Sequence, residues 1–127
     1  MSVTDLDRSA QFYQDVLGFN LTQVPPNHMD EVNAGSYYFS VGGVEITLLR
    51  HRQTEDSDRF SEFRVGLDHL SFRVNAAVEL EKVVERLDES GVENQGIQIY
   101  EPNGKKYVIV RDPDNIQLEF WLDKPEA

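Results

Sequence analysis

A chain of 127 residues with no cysteine and a formal charge of −11 can form one compact domain or two small modules. It excludes disulfides, thiolate metal sites and cysteine nucleophiles. The acidic balance argues against a nucleic-acid or anionic-membrane partner, because phosphate recognition needs a clustered basic surface. An apolar fraction of 39% predicts a folded globular chain, no apolar run approaches the ~20 residues of a membrane span, and the acidic opening segment lacks a signal-peptide core, so a cytoplasmic protein is expected.

Along the chain, Asp5-Leu6-Asp7-Arg8-Ser9 supplies acidic groups that cap a helix and complement its dipole. Phe12, Tyr13, Val16 and Leu17 continue as a helical stripe that stops at Gly18. Strand signals follow at 19–24, 36–41 and 44–50, with a Gly42-Gly43 turn between the last two and a loop over 25–34. After a polar linker over 53–65 the scheme repeats: a strand over 68–74, a stripe of Leu80, Val83, Val84 and Leu87 ending at Ser90-Gly91, then strands over 96–100, 106–111 and 116–122. The last two flank an Asp112-Pro113-Asp114 turn.

Each half therefore reads β-α-β-β-β. The expected fold class is α+β, with modules at 1–52 and 66–123 and a first strand that is short or truncated. Helices on one sheet face leave the opposite face to be closed by the twin module, which predicts two paired modules forming a cup-shaped mixed sheet.

Side chains alternate across a strand, so each run divides into two faces. Val44, Ile46 and Leu48 suit helix packing, whereas Glu45, Thr47 and Leu49 point away. Ile116, Leu118, Phe120 and Leu122 oppose Gln117, Glu119 and Trp121, and Leu70, Phe72 and Val74 oppose His69, Ser71 and Arg73. Glu45 and Glu119 occupy equivalent places in the repeat, offset by 74 residues, and His69 opens an equivalent first strand whose counterpart in the first half precedes Met1. One imidazole with two carboxylates suits a borderline divalent ion such as Zn, Ni, Mn, Co or Fe, and suits calcium poorly. His51 shares a strand face with Glu45 but stands about 20 Å along a straight strand, too far to ligate the same ion. His28 lies in the loop over 25–34. No phosphate-binding glycine motif is present, and Ser71 beside His69 does not make a nucleophile triad.

Residues 3–19, Val-Thr-Asp-Leu-Asp-Arg-Ser-Ala-Gln-Phe-Tyr-Gln-Asp-Val-Leu-Gly-Phe, resemble the opening of the vicinal oxygen chelate superfamily. That group includes glyoxalase I, extradiol dioxygenases, and the fosfomycin and bleomycin resistance proteins. Gly66-Leu67-Asp68-His69-Leu70-Ser71-Phe72 and Arg111-Asp112-Pro113-Asp114-Asn115-Ile116-Gln117-Leu118-Glu119 resemble its second-module signatures. The resemblance covers nearly the whole chain and implies paired βαβββ modules, often joined across a homodimer, with a small-molecule substrate or ligand. Glu45, His69 and Glu119 match three of four metal ligands of the glyoxalase I pattern. The fourth, a first-strand His, has no counterpart here.

Three functions are weighed. The first is a divalent-metal-dependent lyase or isomerase of the glyoxalase type, in which the metal chelates adjacent substrate oxygens and Glu119 or Glu45 moves a proton. The second is a metal-free binding module of the bleomycin-resistance type, with Tyr37, Phe39, Tyr107 and Trp121 lining a groove for a cationic or planar ligand. The third is an iron-dependent extradiol-type dioxygenase, for which His69 and Glu119 match two of three ligands.

Overall fold

The computed structural model describes residues 1–123. The chain divides into two compact units, Met1–Phe60 and Ser61–Ala127.

In the first unit, the opening residues make an isolated parallel bridge, Ser2 with Leu49, held by the Val3 amide on the Leu49 carbonyl at 3.0 Å and the Leu49 amide on the Met1 carbonyl at 2.8 Å. Helix α1 (Leu6–Gln11) starts at Asp5, whose carboxylate accepts from the Arg8 amide at 3.0 Å. It widens into a π-helical stretch, Phe12–Val16, in which the Leu17 amide reaches the Phe12 carbonyl. The widened turn buries both Phe12 and Tyr13, and the chain leaves it through Gly18 at φ +83°. Strands β1 (Thr22–Val24), β2 (Asn33–Val41) and β3 (Val44–His51) form an antiparallel sheet in the order β1-β2-β3. Strand β2 starts at Asn33, earlier than its apolar run predicts. Its first residues are irregular: the register shifts between Asn33 and Ser36, around Gly35 at φ +127°. The core of this unit is aromatic, with Phe39 stacked on Phe19 at 4.6 Å between ring centroids and Phe12 edge-on to Tyr13 at 5.5 Å.

In the second unit, β4 (His69–Val74) leads into α2 (Ala77–Glu89), then β5 (Gln98–Tyr100), β6 (Lys105–Arg111) and β7 (Gln117–Leu122). The sheet order is β4-β7-β6-β5, with β4 parallel to β7 and the other pairs antiparallel. Glu79 caps α2 by accepting from the Asn75 and Ala76 amides at 2.6 and 3.1 Å. The helix ends where Gly91 takes φ +68° and the Val92 amide returns to the Leu87 carbonyl. Leu80 and Leu87 of α2 are buried with Phe72, Val74, Val108, Val110, Leu118, Phe120 and Leu122, all from the alternate positions that face the helix. The hairpin from β6 to β7 is set by Asp112, whose carboxylate accepts from the Asp114 and Ile116 amides at 2.9 Å. Asn115 sits there at φ +70°.

Each unit thus follows the expected β-α-β-β-β order, with the first strand of the first unit reduced to a bridge. Among the described residues no helix is long and apolar enough to cross a membrane.

Candidate functional site

The face of the second sheet opposite α2 carries the site. Parallel pairing places His69 beside Gln117, Ser71 beside Glu119 and Arg73 beside Trp121. Antiparallel pairing puts Arg111, Ile109 and Tyr107 on the other side of the same three β7 residues. The alternation therefore does bring His69 and Glu119 to one surface.

Glu119 is 8% exposed although it points away from the helix layer. A buried carboxylate needs partners, and the neighbouring strands supply them. Ser71 Oγ donates to Oε1 at 3.2 Å, Trp121 Nε1 donates to Oε1 at 2.7 Å, and Gln117 Nε2 donates to Oε2 at 2.6 Å. Gln117 and Trp121 lie two residues either side of Glu119, the spacing that puts strand side chains on one face. These bonds fix both carboxylate oxygens in place.

His69 Nε2 stands 3.6 Å from Glu119 Oε2. That separation is too long for a hydrogen bond. It fits two atoms bound to one ion, since ligand bonds of about 2.1 Å at tetrahedral angles separate two ligands by about 3.4 Å. The other ring nitrogen, Nδ1, lies 2.7 Å from Asp68 Oδ1. A carboxylate at that distance accepts a hydrogen bond from Nδ1–H, the tautomer in which the Nε2 lone pair faces Glu119, as a carboxylate behind a metal-bound histidine does. The pair therefore fits a divalent ion as two of its ligands. Among the described residues, no group of three or more His, Cys, Asp or Glu side chains is gathered in this way.

Of the aromatic residues singled out in the sequence, Tyr107 and Trp121 belong to this face. Their rings stack at 4.6 Å, and Tyr100 meets Trp121 edge-on at 5.7 Å. Tyr37 and Phe39 do not line a groove of this kind. The β2–β3 register pairs Tyr37 with the buried Leu48, and Phe39, 2% exposed, packs against Phe19 and Tyr13. Both lie on the helix-facing side of the first sheet, where Phe39 is a core residue. The residue opposite Thr47 on the Glu45 face is Tyr38. The run Tyr37-Tyr38-Phe39 has no alternation, so only the cross-strand register reveals which ring faces which way. Glu45 itself is exposed on β3, paired with Ser40. His28 is exposed, and His51 pairs with Asn33 at the far end of β3.

Sequence alternation puts Ser71 and Gln117 on the correct face but assigns them no role. The role of Ser71 comes from the β4–β7 pairing, which joins residues 48 positions apart, whereas Gln117 reaches Glu119 from two residues away on the same strand. Asp68 is visible in sequence only as the neighbour of His69.

The comparisons with known proteins agree with this architecture. The model of the Glyoxalase/Bleomycin resistance protein/Dioxygenase superfamily matches residues 1–120. The uncharacterized protein YwkD of Bacillus subtilis (strain 168) is 28% identical over 118 residues, which cover 93% of this chain and 88% of that protein. A glyoxylase/bleomycin resistance protein/dioxygenase domain from Frankia sp. EAN1pec superposes with a TM-score of 0.80 at 31% identity, covering 97% of this chain and 92% of the other. The glyoxalase family protein from Enterococcus faecalis superposes with a TM-score of 0.68 at 25% identity, covering 94% and 89%. The chain belongs to the glyoxalase/bleomycin resistance protein/dioxygenase superfamily, also called the vicinal oxygen chelate superfamily.

Proposed function

We propose that this protein is a divalent-metal-dependent lyase or isomerase of the glyoxalase type, acting on a small molecule with two adjacent oxygens. The observation that carries the reading is the 3.6 Å separation of His69 Nε2 and Glu119 Oε2, with every other polar atom of the two groups already engaged by Asp68, Ser71, Gln117 or Trp121. Such a pair is preorganised: nothing has to turn for both atoms to face one ion. His69 and Glu119 would hold the metal, which when bound supplies Lewis-acid polarisation of the substrate oxygens. Ser71, Gln117 and Trp121 keep the Glu119 carboxylate aimed. Glu45, the repeat counterpart of Glu119, is the remaining ligand of this proposal. Being exposed, and so able to change its partner, it is also the carboxylate better suited to move a proton between neighbouring carbons. A homodimer is part of the same reading, supported by the exposed apolar run Phe63, Val65 and Leu67 ahead of β4.

The test is metal content. After incubation with Zn, Ni, Mn, Co or Fe and gel filtration, the wild-type protein should retain one of these ions stoichiometrically, and His69→Ala should bind it at least ~100-fold more weakly. Failure of the wild type to retain any of the five would sink the proposal. Glu45→Gln separates the roles, since loss of turnover with retained metal assigns the proton and loss of both assigns a ligand.

A further inference from the structure

Beyond Trp121, the same sheet face changes character. In a chain of net charge −11, Arg73 in the Trp121 row and Lys105 in the row after it approach a single carboxylate, Asp123. Arg73 Nε lies 3.4 Å from Asp123 Oδ1, and Lys105 Nζ lies 4.0 Å from the same oxygen. A cavity of about 280 Å3 opens there, lined by Ser71, Arg73, Asn103, Lys105, Trp121 and Asp123. Two of its walls belong to the site already described: Ser71 Oγ and Trp121 Nε1 both donate to Glu119. The cavity therefore adjoins the Glu119 site across these two side chains.

We propose that this cavity is an anion subsite that takes a carboxylate or phosphate at the far end of the substrate. Two cations face one carboxylate, so the cavity keeps a net positive charge against the acidic background. Both contacts to Asp123 are long for ion pairs and are made from partly exposed side chains, so they are cheap to exchange. An incoming anion binds the same two cations with Asp123 swung aside, and Asn103 adds an amide at the rim. Strand spacing of about 3.3 Å per residue puts the Arg73–Trp121 row ~7 Å from Glu119 and the Asp123 row ~13 Å from it. The substrate class follows: an organic acid or phosphate ester whose anionic group lies ~7–13 Å from its adjacent oxygens. Two cations against the one carboxylate of Asp123 disfavour the cationic ligand that the overall acidity of the chain suggests. The inference rests on the metal-centre reading only for which end of the substrate reacts.

Trp121 is the chain's one tryptophan, so its indole N–H gives a single, self-assigned peak in a 1H–15N correlation spectrum. The experiment titrates chelator-treated, metal-free protein with inorganic phosphate and, separately, with succinate, at constant ionic strength set by chloride. The expected result is a saturable shift of the indole peak with at least one anion and none with ethylammonium chloride. Arg73→Gln with Lys105→Gln should weaken binding about 10-fold or more, as loss of charge-assisted bonds does, while Asp123→Asn should tighten it severalfold. The phosphate and succinate arms tell which oxyanion is preferred. No saturable shift with either anion in the wild type, an equal response to ethylammonium, or unchanged affinity in the folded double variant would each overturn the inference. Metal retention is measured in parallel, on portions of the same protein reloaded with each divalent ion and passed through gel filtration. Anion binding by a protein that retains no ion on reloading would defeat the metal-centre reading and leave the subsite standing; ion retention with no anion binding would defeat only the subsite.

Discussion

The two units apply one β-α-β-β-β plan, yet they treat the same repeat position in opposite ways. Glu119 is buried under hydrogen bonds from Gln117, Trp121 and Ser71, whereas Glu45 is exposed. The reason lies in the flanking residues. An offset of 74 aligns Gln117 with Gly43 and Trp121 with Thr47, so the first unit has no side chain at the first of these positions and only a short hydroxyl in place of the indole at the second. The parallel neighbour that carries Ser71 in β4 corresponds, in the first unit, to a short bridge that meets β3 at Leu49 and, through the Met1 amino group, at the Thr47 carbonyl. Gly43 is also held at φ +79°, a conformation in which a Gln would be strained. The same carboxylate is thus buried under hydrogen bonds in one copy and exposed in the other, and the difference is set by its neighbours rather than by the glutamate.

The largest expected effect tests whether burial follows the repeat. Leu118 is fully buried and its repeat counterpart Val44 is 61% exposed. Leu118→Ala should cost about 2–5 kcal/mol in urea denaturation through lost burial and a residual cavity, and Val44→Ala should stay within about 0.5 kcal/mol. Equal losses at the two positions would break the comparison at its root.

The next effect sharpens the contrast between the carboxylates. Glu119→Ala leaves Trp121 Nε1 and Gln117 Nε2 without their acceptor in a buried setting, at a cost of about 1–3 kcal/mol. Glu45→Ala removes an exposed group and should change stability by no more than about 0.5 kcal/mol. Chemical denaturation of the two variants side by side measures the difference directly. A Glu45 loss as large as that of Glu119 would mean that Glu45, too, is held by a network.

How much of this was legible in the sequence depends on whether a residue's fate is decided locally. Strict alternation marks β3, β4 and β7, because a period of two fixes which side chains meet the helix, and the inward turn of His69 and Glu119 follows from it. Helix ends are equally local: Asp5, Glu79 and Gly91 act within four residues of themselves. The π-helical stretch Phe12–Val16 is not legible, since one wide turn shifts the stripe by less than a sequence pattern resolves. The face of Tyr37 and Phe39 is not legible either. Three consecutive rings fit both faces, and the irregular start of β2 at Asn33 to Ser36 hides the register. The Ser71–Glu119 bond depends on pairing two strands with a helix and two further strands between them in sequence, which no local pattern encodes.

The smallest effect concerns the approach to β4. Arg111 occupies the site face beside Gln117 and reaches Glu62 at 3.4 Å through both terminal nitrogens, tying the segment ahead of Asp68 and His69 to β6. The Glu62 backbone amide and the Arg111 guanidinium together hold the Glu62 carboxyl below its ordinary value of 4.5. A carboxyl whose pKa is lower in the folded state than in the unfolded chain favours folding while it is ionised. Its contribution is therefore complete above about pH 4.5 and disappears as pH falls through the folded value. Glu62→Gln keeps the shape and removes the charge, so its melting midpoint should lie about 1 °C below wild type near pH 7, the modest effect of a solvent-screened pair. The two midpoints should converge as pH falls below 4.5 and through the lower folded value. Curves that stay parallel from pH 7 to 3 would show that the charge on Glu62 does not help to anchor this segment, leaving Asp68 alone to set His69.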